Sequence, residues 1–148
     1  MANKRTIILK GTPIINEEGV ASEAINPGYL VKGVSTIAKQ TGSTTAVLPV
    51  AVALERDEFG AGIDDTYRGA GTIAAAYASG DVVKVAALYP GCEFVGYIPS
   101  GQNIVEDDKL QSAGTGLFIE GTDAPIVRAM ETVGAVTVET AVRLQVIR

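Results

Sequence analysis

The sequence predicts an all-β, single-domain protein, a β-sandwich or small β-barrel of jelly-roll-like form with an extended N-terminal arm. Three observations carry that expectation. Tight-turn signatures recur through the second half, where Ser79-Gly80-Asp81, Pro90-Gly91, Pro99-Ser100-Gly101 and Gly114-Thr115-Gly116 each introduce a short apolar run. Glycine reaches positive φ without steric cost and proline presets the first central turn position, so these signatures reverse the chain. The runs between them, Val82 to Leu88, Glu93 to Ile98, Ile104 and its neighbours, and Leu117 to Glu120, are too short for stable helices. Near the C-terminus, Val142, Leu144 and Val146 alternate with Arg143, Gln145 and Ile147, the period of a strand with one dry and one largely wet face.

Taken in order, residues 1–24 read as an extended arm carrying one strand, and residues 25–148 as the β domain. Thr6-Ile7-Ile8-Leu9 is strand-prone and is closed by Gly11-Thr12-Pro13, while Asn16-Glu17-Glu18-Gly19 is a second, polar break. The same residues also read as an ordinary first strand of the core, because short terminal strands are common in sheets. Asn26-Pro27-Gly28 suits a type II turn before a strand at Tyr29-Leu30-Val31. Between Gly33 and Gly42 there is room for one helical turn at most. Thr45 to Leu54 alternates, with Val50, Val52 and Leu54 on one face and Ala51 and Ala53 on the other, and Pro49 marks an edge or a bulge. Residues 55–72 form a long polar loop rich in glycine, of the kind that is functional or mobile. Ile73 to Ala78 is open between a short helix and a strand. Val127 to Val133 and Ala135 to Val138, around Gly134, precede the last strand, for a total of eight or so short strands.

Composition excludes several kinds of chemistry. The 148 residues contain no histidine and one cysteine, which removes the commonest general base, the commonest metal ligand and any intrachain disulfide. A formal charge of −5 opposes nucleic-acid binding, which needs a basic surface. No stretch approaches the roughly 20 apolar residues of a membrane helix, and the first apolar run is far shorter than that of a signal peptide. A cytoplasmic origin, with no membrane partner, is the expectation. Glycine supplies 17 of 148 residues and charged residues only 20%, so turns are many and the polar surface thin, as suits a subunit that covers part of itself with a partner.

The candidate constellations are weak. Gly69-Ala-Gly71-Thr-Ile-Ala74 fits a loose dinucleotide fingerprint, but neither a buried strand before it nor a full helix after it is present in the sequence, so a plain loop accounts for it and no cofactor is expected. Glu55, Asp57, Glu58, Asp64 and Asp65, and separately Glu106, Asp107 and Asp108, lack the alternate spacing of a calcium loop and read as solvated faces, so no metal is expected. Cys92, next to a Pro-Gly turn and with no histidine to act as its base, reads as a small buried hydrophobe. No catalytic residue is assigned.

At this point the order of segments resembles the capsid decoration, or cement, proteins of tailed bacteriophages. The likeness rests on Ile25-Asn-Pro-Gly-Tyr-Leu-Val31, Tyr77-Ala-Ser-Gly-Asp-Val-Val83, Pro90-Gly-Cys-Glu-Phe-Val95, Ile98-Pro-Ser-Gly-Gln-Asn-Ile104, Asp108-Lys-Leu-Gln-Ser-Ala-Gly-Thr-Gly116 and Ala141-Val-Arg-Leu-Gln-Val-Ile147. The resemblance implies a non-enzymatic virion protein on the outside of the shell, bound to the major capsid protein and self-associated as a dimer or trimer. It transfers no interface residue. Contacts are instead expected from the arm, at Lys4, Arg5, Thr6, Ile7, Ile8 and Leu9, and from the loop, at Phe59, Ile63, Tyr67 and Arg68. Gly28, Gly80, Gly91, Gly101 and Gly116 are expected to form turns. A tail or head-fibre component that touches the host surface, and a carboxylate-based enzyme on a β scaffold, are the alternatives.

Overall fold

A computed structural model describes residues 7–55 and 76–148. Among these residues there are thirteen strands and no helix, so the fold is all-β. In chain order the strands are β1 (Ile8–Lys10), β2 (Ile14–Ala21), β3 (Val31–Lys32), β4 (Thr36–Lys39), β5 (Val50–Ala53), β6 (Val82–Leu88), β7 (Glu93–Ile98), β8 (Asn103–Ile104), β9 (Lys109–Ser112), β10 (Phe118–Glu120), β11 (Val127–Ala129), β12 (Gly134–Ala135) and β13 (Thr140–Val146).

They form a six-stranded sheet in the order β1-β7-β13-β11-β9-β10, a five-stranded sheet in the order β3-β4-β2-β6-β5, and the small pair β12-β8. The β2–β4 pairing is parallel and the other described pairings are antiparallel. An isolated antiparallel bridge, Leu30 to Val52, joins the chain entering β3 to β5, so the five-stranded sheet closes into a ring. Every strand of that ring gives a buried side chain to one core: Ala21 from β2, Val31 from β3, Ile37 from β4, Ala53 from β5, and Val83 and Val85 from β6. The opposite side of the ring carries Val50, Val52, Ala86 and Leu88 into a second, larger core, shared with Phe94, Ile98, Leu110, Phe118, Val127, Val142 and Leu144 of the six-stranded sheet.

This two-sided burial explains why β5 reads as almost wholly apolar. Val50, Val52 and Leu54 enter the shared core while Ala51 and Ala53 face the ring, which is the alternation read from the sequence. In the six-stranded sheet, Phe94 and Phe118 are fully buried, with ring centroids 5.6 Å apart at a 58° tilt. Gly96 makes that approach possible, because a Cβ there would lie 2.6 Å from Leu144 Cδ1 and 2.8 Å from Phe118 Cε2.

Three segments depart from the sequence expectations. The polar break at Asn16 to Gly19 lies inside β2, where the pairing with β6 shifts register between Asn16 and Gly19 and Asn16 Oδ1 accepts from Glu18 N at 3.0 Å. A bulge thus absorbs residues that would otherwise end the strand. Thr36 to Lys39, in the stretch given at most one helical turn, is a strand held between β3 and β2. Of the segment read as an arm, residues 8–21 contribute one strand to each of the two larger sheets rather than one strand in all, β1 on β7 and β2 between β4 and β6.

Candidate interaction surface

The ring closes through a single bridge. Around it the backbone is well tied: Gly28 N donates to Ala53 O at 2.8 Å, Ala53 N to Tyr29 O at 3.0 Å, and Leu30 N to Gly116 O at 2.8 Å. Tyr29 fixes this corner further. Its hydroxyl donates to Glu139 Oε1 at 2.6 Å and accepts from Asn26 Nδ2 at 3.1 Å, and its ring meets Tyr97 edge-on at 5.9 Å. Burial, and then the Glu139 hydrogen bond, push the Tyr29 hydroxyl up to about 12. Burial and the Glu139 charge also raise the Tyr97 hydroxyl above its ordinary value. Tyr97 packs against both cores, so this cluster fastens the ring to the six-stranded sheet.

Beyond the Leu30–Val52 bridge the two strands part. β3 continues along β4 and β5 along β6, and the bridge links the two at the head of the cleft. A cleft of about 310 Å³ lies there, with Val31, Lys32, Gly33 and Val34 along one bank, Val47, Leu48, Pro49 and Ala51 along the other, and Gln40 also lining it. Pro49 at the start of β5 has no N–H to donate, which suits an edge. Gln40 is held by its backbone N–H on Leu30 O at 2.9 Å and by its Oε1, which accepts from Gly42 N at 3.0 Å.

The rim is apolar and open to solvent. Val34 is 75% exposed and Leu48 55%. A cross-strand row, Ala51 to Ala87 to Ile14, carries the apolar surface from the cleft across β6 to β2, where Ile14 is 59% exposed. Isolated exposed aliphatic residues are ordinary on a folded surface, but a connected set around a concavity marks an interaction site. Lys32 is the one charged residue in the lining, and its ammonium donates to Thr41 Oγ1 rather than to a carboxylate.

Of the contact residues expected from the sequence, Lys4, Arg5, Thr6, Phe59, Ile63, Tyr67 and Arg68 lie outside the described residues, as do Asp57, Glu58, Asp64, Asp65 and the Gly69 to Ala74 motif. Ile7 is fully buried and its N–H donates to Glu55 Oε2 at 2.9 Å. Ile8 packs against the shared core and Leu9 is 40% exposed. Gly28, Gly80, Gly91, Gly101 and Gly116 all have positive φ, at 91°, 95°, 94°, 87° and 82°. The acidic group at 106–108 is occupied in a turn: Asp108 Oδ2 accepts from Val105 N at 2.8 Å and Asp107 faces Arg128 at 3.5 Å. Cys92 is buried and carries a free thiol. Among the described residues no three or more carboxylates or thiols are grouped as a metal would need, and no helix is long and apolar enough to cross a membrane.

The cleft was not read from the sequence. Its one local signal is an apolar residue in each of two turn-prone stretches, Val34 after Gly33 and Leu48 before Pro49. No protein-family model matches this chain, and no curated protein matches it.

Proposed function

We propose that this chain is a structural virion protein that binds the outer surface of a phage head, bridges major capsid protein subunits and stabilises the shell. The observation that carries the reading is the connected, solvent-facing apolar surface around the cleft, mounted on a block whose two cores hold it rigid. The segment order over residues 25–148 supplies the setting, through its resemblance to phage decoration proteins.

The physics of such a clamp is additive. Packed DNA pushes the shell outward, and a bridging protein opposes this because separated subunits would have to expose the contact area again. One buried aliphatic side chain contributes only about 1.5–3 kcal/mol. Many copies on one shell make the total large, and a pre-formed β scaffold loses little conformational freedom on docking.

The test mixes purified protein with undecorated heads, sediments them and counts copies per shell. Saturable, stoichiometric occupancy and a higher temperature of head opening are expected. Bare heads at saturating protein would defeat the proposal, and density on the tail with bare capsomers would transfer the chain to a tail or fibre role. Removing residues 2–6 is the suitable truncation for testing the basic N-terminal segment, because a longer one, to residue 12, also removes buried Ile7 and β1.

A further inference from the structure

We infer that two copies of this chain exchange β1, each laying its strand on β7 of the other and turning about a hinge at Gly11-Thr12-Pro13. The partner is a second copy of this chain, so the inference goes beyond the shell-binding reading and does not depend on it. Three features carry it.

The first is how β1 is held. It shares no sheet with β2, its neighbour in sequence, and its strand partner is β7, more than eighty residues on. Ile7 is fully buried and tied to that same block twice: its N–H donates to Glu55 Oε2 at 2.9 Å, and its carbonyl accepts from Val95 N at 2.8 Å. A second copy offers the same carboxylate, the same N–H and the same edge of β7. An exchanged β1 therefore keeps these contacts, and exchange costs little beyond joining two molecules.

The second is the hinge. Three residues carry the chain from one sheet to the other. Gly11 makes the bend with φ at 105°, so close to Cys92 that a Cβ would lie 2.5 Å from its Sγ. Pro13 fixes its own φ and leaves the bend few ways to relax. Closure within one molecule needs that tight bend, whereas an extended hinge, which glycine equally permits, carries β1 to a neighbour. Short hinges favour exchange for this reason.

The third is the surface around the hinge. Exposed Leu9 precedes it and exposed Ile14 and Ile15 follow it. Exposed Tyr89 reaches it through Cys92, whose sulfur lies against Gly11 and whose N–H donates to the Tyr89 carbonyl at 3.0 Å. In an exchanged pair the two hinges run side by side, so the surfaces beside them are the ones that meet. Here that surface is apolar, and a small one suffices because the β1 contacts are already made.

The experiment uses the full chain. Lys10 Nζ lies 4.0 Å from Glu93 Oε1 across the β1–β7 pairing, near enough for a carbodiimide to join them as an amide while the reagent takes up the water. Sedimentation should show a reversible dimer, and the cross-linked dimer band of a denaturing gel should contain the Lys10–Glu93 peptide pair. Lys10→Arg should deplete that band, because a guanidinium does not couple. Inserting Gly-Ser-Gly-Ser after Thr12 lets β1 fold back without the tight bend and should weaken dimerisation by at least about tenfold. Ile14→Glu and Tyr89→Glu should weaken it too, whereas Val138→Glu, exposed at the opposite end of the β7–β13 ladder, should not. Circular dichroism and unfolding midpoints check the folding of each variant.

A chain that sediments as a monomer at every concentration, or a Lys10–Glu93 link confined to the monomer band, overturns the exchange. A dimer that the glutamate variants break and the longer hinge does not is a surface dimer with each β1 at home, and overturns it as well. None of these results bears on head binding, which the sedimentation with undecorated heads decides separately.

Discussion

At Gly19 the backbone of β2 runs so close to β4 that a Cβ would sit 2.5 Å from Ile37 Cδ1 and 2.8 Å from the Val34 carbonyl oxygen. Backbone cannot move aside as a flexible side chain can, so Gly19→Ala is expected to cost about 1–3 kcal/mol through overpacking. Gly96→Ala, wedged between Leu144 and Phe118, should cost a similar amount. Gly42→Ala, whose nearest neighbour is the Gln40 side-chain oxygen at 3.3 Å, should stay within about 0.5 kcal/mol of the parent. Denaturant midpoints at unchanged slope would rank the three. Tyr29 supports a prediction in pH. Its hydroxyl ionises near 10 when unfolded and about 12 when folded, so between those values the folded state holds the proton that the unfolded state has lost. The stability gained from the neutral hydroxyl is fully present below about pH 10 and drains away as pH rises through about 12. Tyr29→Phe should flatten that alkaline decline in part, since the Tyr97 hydroxyl is raised as well, and tyrosinate absorbance should show one fewer late-ionising phenol in the variant than in the parent. An alkaline limb as steep in the variant as in the parent would assign the effect elsewhere.

Among the strands, those whose own side chains alternate against a core were legible from sequence. β6 and β7 begin and end where the turn signatures place them, and β13 presents Val142, Leu144 and Val146 to the core. β2 and β4 were not legible, because neither is specified locally. Asn16 to Gly19 carries two carboxylates and a glycine, and only the bulge against β6, with the close approach of Ile37, keeps it extended. The cleft escaped for a related reason: its banks come from residues 31–34 and 47–51, which no local pattern links, and one bridge places them together. Phe118 shows what an element owes to such distant contacts. β10 is three residues long and pairs with β9 alone, yet its phenylalanine is fully buried against Phe94. Phe118→Ala should cost about 3–5 kcal/mol and Phe118→Leu clearly less, measured as shifts in unfolding midpoint. Equal, small shifts in both would mean that the curl of β10 over β7 contributes little.

Over the whole molecule, two cores and one aromatic seam make a block in which the ring and the six-stranded sheet share buried side chains. On the proposed reading, a head carrying the protein opens at a higher temperature than a bare head, and the gain rises with occupancy until the sites are full. A calorimetric scan of heads with graded amounts of protein would check this. A shift that fails to follow occupancy would separate binding from reinforcement.

The placement of β1 bears on how the chain matures during synthesis. Strands β2 to β6 make the ring from one continuous stretch, whereas β1, which leaves the ribosome before them, has its partner in β7, more than eighty residues later. The ring's strands are therefore complete while β1 still waits, and Ile7 stays wet until residues 93–98 appear. Contacts so far apart in sequence form slowly, so the N-terminal edge stays unpaired in a nascent chain after the ring's strands have emerged, and it is open to cleavage over that interval.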